Sequence, residues 1–401
     1  MRPTFHCSRR ALAVLGGACA LSLAACDRSP ATAGKSADSS PSRLTVVAST
    51  TQIADYVTQL ASGGDDLAVT RTGADGTVTQ LGAPPSKASV HLELTCLLAA
   101  NASAHEHEMT APQSRALAQA DLFLVSGVDL EHFLDDAVVA TGFAGTMVVT
   151  SGVLGAADID DLAAQKEREK GLAYSVDRGE TAVKVRQWPF VPEGGDSEPE
   201  FRYDPHVWTS PRGAMVQVAN IGAALERMAP SGAQTLRQHV ETYTQRLEAL
   251  DQWVRQSLDT VASDRRVLFT SHDAFGYFAT DYDVRFEGAA LSDFNAQQDA
   301  TAHKIQQTVD AVRHSGAVAI FAETSNNPRS VQKVAEVAGV RAVIGDEALY
   351  GDSLGEPGSD GETYIGSILH NVTNLTTAWG GTPADLPQDL QPWAPQNTLE
   401  P

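Results

Sequence analysis

Of the eleven histidines in this 401-residue chain, three stand where an imidazole can do chemistry. His105 lies in Ala102-Ser103-Ala104-His105-Glu106-His107-Glu108, after an apolar run and just before a helical one. His206 lies in Asp204-Pro205-His206-Val207-Trp208, ahead of a Ser210-Pro211 helix opening, and His272 directly follows the apolar run RVLFTS at 266–271. His6 belongs to the N-terminal leader, and His91, His132, His239, His303, His314 and His370 fall inside ordinary strand or helix patterns. A neutral imidazole is a nitrogen donor to a divalent metal, and a carboxylate commonly completes the set. Open parallel α/β sheets gather such groups beyond the carboxyl ends of their strands. Three histidines at such loops, from separate stretches of the chain, imply one cleft site.

The elements that must position them alternate. Apolar runs at 44–49, 90–95, 121–126 and 146–150 read as buried parallel strands, with helical spacing at 52–60, 111–120 and 130–138. The same habit returns at 266–271, 317–322 and 341–344, with helical stretches at 302–314, 330–338 and 363–379. Two blocks of strand–helix alternation predict two α/β lobes, each a mainly parallel sheet flanked by helices. Between them, 233–259 holds no Gly or Pro, and Leu236, Val240, Tyr243, Leu247, Leu250, Val254 and Leu258 step by three and four. That pattern predicts one long, rigid amphipathic helix joining the lobes. The stretches 65–87 and 163–201 fit no repeat and read as inserted surface loops. The organisation is then a leader at 1–25, a tether at 26–43, an N-terminal lobe at 44–229, a connecting helix at 230–260, a C-terminal lobe at 261–382 and a tail at 383–401.

The leader carries Arg2, Arg9 and Arg10 before the apolar stretch 11–23 and closes on Leu23-Ala24-Ala25-Cys26. This is the pattern of a secretory signal, too short to span a bilayer. Its ending resembles a bacterial lipobox, so cleavage before Cys26 would leave that thiol for lipidation. Residues 27–43, rich in Ser, Ala and Pro, read as a flexible tether that holds an exported protein at the membrane by its lipid anchor. Removing residues 1–25 takes away three arginines and no acid, so the formal charge moves from −21 to −24. With no basic stripe to displace counterions, nucleic-acid binding is excluded. Cys96 is then the one cysteine left beside the lipid site, and it reads as a small buried apolar group.

Three segments together carry a resemblance. Asp-Pro-His-Val-Trp at 204–208, Ser-His-Asp-Ala-Phe-Gly-Tyr-Phe at 271–278 and Gly-Ser-Asp-Gly-Glu-Thr-Tyr at 358–364 resemble one family: the zinc- and manganese-binding solute-binding lipoproteins of ABC transporters, in the class with a long backbone helix. The run AQADLFLVSGVDLE at 118–131 adds to the likeness, which extends from about Leu44 to Trp379. Carried over residue by residue, the resemblance implies metal ligands at His105, His206, His272 and Glu362. It departs in two places. Ser103-Ala104-His105 stands where Asp-Pro-His is typical, which leaves His107 as an alternative, and Glu362 stands where Asp is usual, which leaves Asp360 as the fallback.

The implied function is an extracytoplasmic receptor that captures Zn2+ between the lobes and delivers it, as a monomer, to a membrane permease driven by a cytoplasmic ATPase. His272 at the third position favours Zn2+, because harder oxygen ligands suit Mn2+; Mn2+ or Fe2+ is the alternative. A zinc hydrolase is the rival from another class. It would need an open coordination position and a general base, and His105-Glu106-His107 lacks the spacing of a His-Glu-x-x-His helix. An interaction lipoprotein is compatible with transport and has no motif of its own here.

Overall fold

The computed structural model describes residues 42–189, 201–289 and 302–400. The leader, Cys26 and all of the tether except its last two residues lie outside these. Within them the first lobe opens with β1 (Ser42–Ala48) and α1 (Thr51–Ala61), followed by β2 (Leu67–Thr72), β3 (Val78–Gly82) and β4 (Val90–Cys96). It continues with α2 (Ala111–Ala118), β5 (Leu122–Val125), α3 (Leu134–Thr141), β6 (Thr146–Val149), α4 (Ala156–Glu169), β7 (Ser175–Asp177) and α5 (Pro211–Met228). The seven strands form one sheet in the order β3-β2-β4-β1-β5-β6-β7. Every pairing is parallel except the β2–β3 hairpin.

Helix α6 (Ala233–Leu258) leads into the second lobe, built from β8 (Val267–Thr270), α7 (Gly276–Asp281), β9 (Arg285–Ala289), α8 (Ala302–Ser315), β10 (Ala319–Phe321), α9 (Arg329–Ala338), β11 (Arg341–Val343) and α10 (Tyr364–Ala378). Its strands pair in parallel as β8–β9 and β10–β11, with β8 beside β10. The expected α/β class, with two helix-flanked and mainly parallel lobes, is the fold observed.

The core explains why the lobes stay together. One apolar cluster contains the inner faces of both sheets and the buried sides of α1, α5, α6 and α10. Helix α6 contributes Leu236, Tyr243, Leu247, Leu250, Trp253, Val254 and Leu258 to it, so its apolar stripe packs along the shared core. At 26 residues it is about 39 Å long, from about 1.5 Å per residue. Smaller cores fill the outer faces: α2 and α3 against β5 and β6 in the first lobe, and α8 and α9 against β8 and β10 in the second.

Four sequence expectations need correction. The stretch 65–87 is no inserted loop, since it supplies β2, which pairs with β4 along six residues, and β3 at the sheet edge. Its sequence hid this because Gly73-Ala74-Asp75-Gly76 looks like loop chemistry; it is the hairpin turn, with Asp75 accepting the Thr77 N–H and hydroxyl. The stretch 163–201 begins inside α4 and contains β7; residues 190–200 lie outside the described residues. Order begins two residues earlier than Leu44, because Ser42 and Arg43 pair with Val90 and His91. The C-terminal segment, read only as a tail, is pinned down: Leu390 and Leu399 are buried, and Asp360 accepts the Gln396 and Asn397 N–H groups.

Candidate metal centre

Each of the three histidines sits where its backbone is fixed by neighbours. The loop after β4 carries His105; Leu97 N–H bonds to Ala48, and Gln113 bonds to the Leu97 carbonyl while closing the capping box of α2 with Thr110. His206 occupies the turn before α5, where Thr209 donates to the His206 carbonyl and Ser210 caps the helix at the Arg212 N–H. His272 follows β8. Its N–H bonds to Glu323, which lies just past β10, while the Glu323 N–H bonds to the Ser271 hydroxyl.

These elements bring the three rings to one point. His206 Nε2 is 3.0 Å from His105 Nε2 and 3.2 Å from His272 Nε2. The fourth group is Asp352, whose Oδ1 lies 3.1 Å from His272 Nε2, 3.7 Å from His206 Nε2 and 3.8 Å from His105 Nε2. Donors held tetrahedrally about a Zn2+ ion at roughly 2.0–2.1 Å stand about 3.3 Å apart. The observed spacings bracket that value, so the cluster has the dimensions of a coordination sphere. Two lobes share the set: His105 and His206 come from the first, His272 and Asp352 from the second. All four side chains are almost wholly buried, from 0% exposed at His206 to 7% at His272.

Second contacts set which atoms point inward. His206 Nδ1 is 2.9 Å from Asp204 Oδ1, which also accepts the His206 N–H. A carboxylate can only accept, so Nδ1 carries the proton and Nε2 keeps its lone pair for the centre, the usual arrangement behind a metal-binding histidine. Asp352 Oδ2 accepts from the Ser103 hydroxyl at 2.7 Å, leaving Oδ1 to face the rings. The Asp352 loop is held from the other lobe: Trp208 Nε1 donates to the Gly351 carbonyl, Gln52 to the Asp352 carbonyl, and the Leu354 N–H bonds to Thr51. Phe201 lies edge-on to His105, with ring centroids 5.4 Å apart, and Trp188 lies against both Phe201 and His206. Phe201 and Trp188 thus pack against the two first-lobe histidines.

The electrostatics follow from burial around one carboxylate. Burial pulls His272 down, but Asp352 at 3.1 Å, with Glu323 and Asp273, outweighs it and pushes the imidazole up to about 10. Burial pulls His105 well below its ordinary value, with His206 and His272 acting the same way against Asp352. Burial alone would raise Asp352, yet the His272, His105 and His206 rings hold its carboxyl well below the usual range. Glu323 is pushed up to about 8 by burial, against the pull of His272. The pair therefore favours an ionised Asp352 beside a protonated His272.

The structure thus brings His105, His206 and His272 together and does not bring Glu362 to them. Glu362 is exposed, and its carboxylate accepts the Gly358 N–H in the turn before α10. Asp360, the fallback, is committed to the Gln396 and Asn397 N–H groups and to His370. His107 lies outside the cluster, its ring edge-on to Phe133. Sequence reasoning missed Asp352. The rule that singled out the histidines applied equally to it, since Tyr350-Gly351-Asp352-Ser353 follows the last strand of the second lobe; the likeness at 358–364 pointed ten residues too far along the chain. Cys96 is buried as expected, and burial pushes its thiol up to about 11.

Among the described residues no helix is long and apolar enough to cross a membrane. Residues 46–378 match the family model described as "Zinc-uptake complex component A periplasmic". Among curated proteins, the manganese-binding lipoprotein MntA of Bacillus subtilis (strain 168) is 27% identical over 349 residues, covering 86% of this chain and 92% of the relative. The zinc-binding protein TroA of Treponema pallidum (strain Nichols) is 30% identical over 219 residues, 52% of this chain and 70% of the relative. The iron-binding protein YfeA of Yersinia pestis is 26% identical over 280 residues, 70% and 76% of the two chains. In fold, the solved periplasmic zinc-binding protein TroA from Treponema pallidum superposes with a TM-score of 0.59 at 24% identity, over 84% of this chain and 99% of that one. The chain belongs to the zinc-uptake complex component A family, whose members are metal-binding, substrate-binding proteins of ABC transporters and not enzymes.

Proposed function

We propose that this protein is a lipid-anchored zinc receptor. It takes up Zn2+ at His105, His206, His272 and Asp352 and hands it to a membrane permease driven by a cytoplasmic ATPase, with Cys26 carrying the lipid on the extracytoplasmic side. The observation that carries the reading is the convergence of three Nε2 atoms and one carboxylate oxygen at distances of 3.0–3.8 Å. Three imidazoles and one carboxylate are a complete zinc set, whereas Mn2+ favours more oxygen. Four protein donors also leave no place for the activated water that a hydrolase needs.

The names of relatives include a manganese-binding lipoprotein and an iron-binding protein, so the test must let metals compete. The chain from residue 27 onward, purified without an affinity tag, stripped with chelator and reloaded from equimolar Zn2+ and Mn2+, should retain one equivalent of zinc by mass spectrometry. His206→Ala and Asp352→Ala should lose at least on the order of 100-fold in affinity, the upper end of what loss of a supporting residue costs, while Glu362→Ala binds like the parent. Retention of manganese would overturn the metal assignment. Loss of zinc in Glu362→Ala with retention in Asp352→Ala would overturn the ligand set.

A further inference from the structure

Ser103 stands two residues before His105, as Asp204 stands two residues before His206. The two do different work. Asp204 turns back on its own histidine and takes both the backbone N–H and the Nδ1 proton. Ser103 accepts the matching N–H of His105 at 3.3 Å but sends its hydroxyl proton across to the other lobe, to Asp352 Oδ2 at 2.7 Å. The carboxylate is thereby divided: one oxygen is occupied by the hydroxyl, and the other faces three ring nitrogens at 3.1–3.8 Å. Asp352 is 1% exposed, so water does not readily replace the hydroxyl.

We propose that Ser103 is a specificity-determining residue that holds Asp352 to one coordinating oxygen and so limits the centre to four donors. The inference rests on the receptor reading above. For both carboxylate oxygens to reach a cation, Oδ2 would have to leave Ser103 and forfeit a charge-assisted bond in a buried site. Zn2+ is satisfied by four donors and needs no such change. A cation that seeks a larger, oxygen-rich shell, such as Mn2+, gains most from a second carboxylate oxygen and is the one that Ser103 disfavours. The loop itself keeps two anchors that do not involve the hydroxyl, since Ala104 is buried and the Asn101 N–H bonds to the Leu354 carbonyl.

Co2+ reports coordination number directly, because its visible absorption is strong in a tetrahedral site and falls when a fifth donor enters. With the purified mature chain, Ser103→Ala is expected to weaken the absorption per bound Co2+ and to narrow the Zn2+/Mn2+ affinity ratio by about tenfold, the scale of a lost supporting contact. Ser103→Thr, which keeps the hydroxyl, should retain the parent spectrum and ratio. Ser103→Gly removes the same hydroxyl and gives the same comparison if the alanine variant does not fold. A hydroxyl-free variant that binds one Co2+ with the parent spectrum and ratio would overturn the role of Ser103 while leaving the receptor reading intact. A parent protein that binds neither Co2+ nor Zn2+ would overturn both.

Discussion

At the proposed site, His272 is the imidazole from which an incoming cation would displace a proton. Asp352 keeps that ring protonated up to about 10 in the metal-free protein, even though burial acts against it. A ligating imidazole must be neutral, so metal entry competes with this proton. The sign is fixed: below about 10 each fall of one pH unit makes the proton tenfold more competitive, so affinity falls with pH. Between pH 6.5 and 8.5, binding should release about one proton per ion and affinity should rise about tenfold per unit. Calorimetry in buffers of different ionisation enthalpy measures the proton count, and a count near zero at pH 7 would contradict the His272–Asp352 pairing.

Helix α5 sets the position of His206 through close backbone contact at its first turn. A Cβ on Gly213 would come within 1.9 Å of the Val207 carbonyl oxygen, which is backbone and cannot swing aside. Gly213→Ala should therefore push the 206–209 turn away from the helix, costing about 1–3 kcal/mol as an overpacking change and lowering metal affinity as well. Leu250→Ala in α6 provides the contrast. It removes a side chain from the shared core, should cost about 2–5 kcal/mol, and should leave the affinity of the folded fraction unchanged. Denaturant titration beside metal titration separates the two; equal affinities in both variants would show that the α5 contact does not position the site.

At the scale of the molecule, two donors come from each lobe, and the Asp352 loop is already tied to the first lobe through Gln52, Thr51 and Trp208. A cation at the centre adds a further link between lobes that share one core. Binding only the folded form, free metal at 100 times Kd should stabilise by about 2.7 kcal/mol. Thermal unfolding should then shift upward by several degrees on loading and return on chelation. The shift should vanish in Asp352→Ala, and its persistence there would mean that the ion sits elsewhere.

Much of this was legible in residue types and spacing alone. The α/β class, the two blocks and the α6 helix follow from hydrophobic periodicity, which depends only on local geometry, and α6 runs Ala233–Leu258 against an expected 233–259. His105, His206 and His272 could be singled out because strand ends followed by polar loops are local patterns too. What was not local stayed hidden. Strand β2 belongs to the sheet only because β4 accepts it as a partner, which short turn-rich sequence does not reveal. The carboxylate at the centre is Asp352 and not Glu362 because the loop after β11 is drawn across the cleft by carbonyl bonds from Gln52 and Trp208, while the turn before α10 spends Glu362 on its own backbone. The sequence by itself determined which elements form and which side chains can ligate; the tertiary structure decided which carboxylate meets the histidines, because that choice is made by contacts between residues some 300 positions apart.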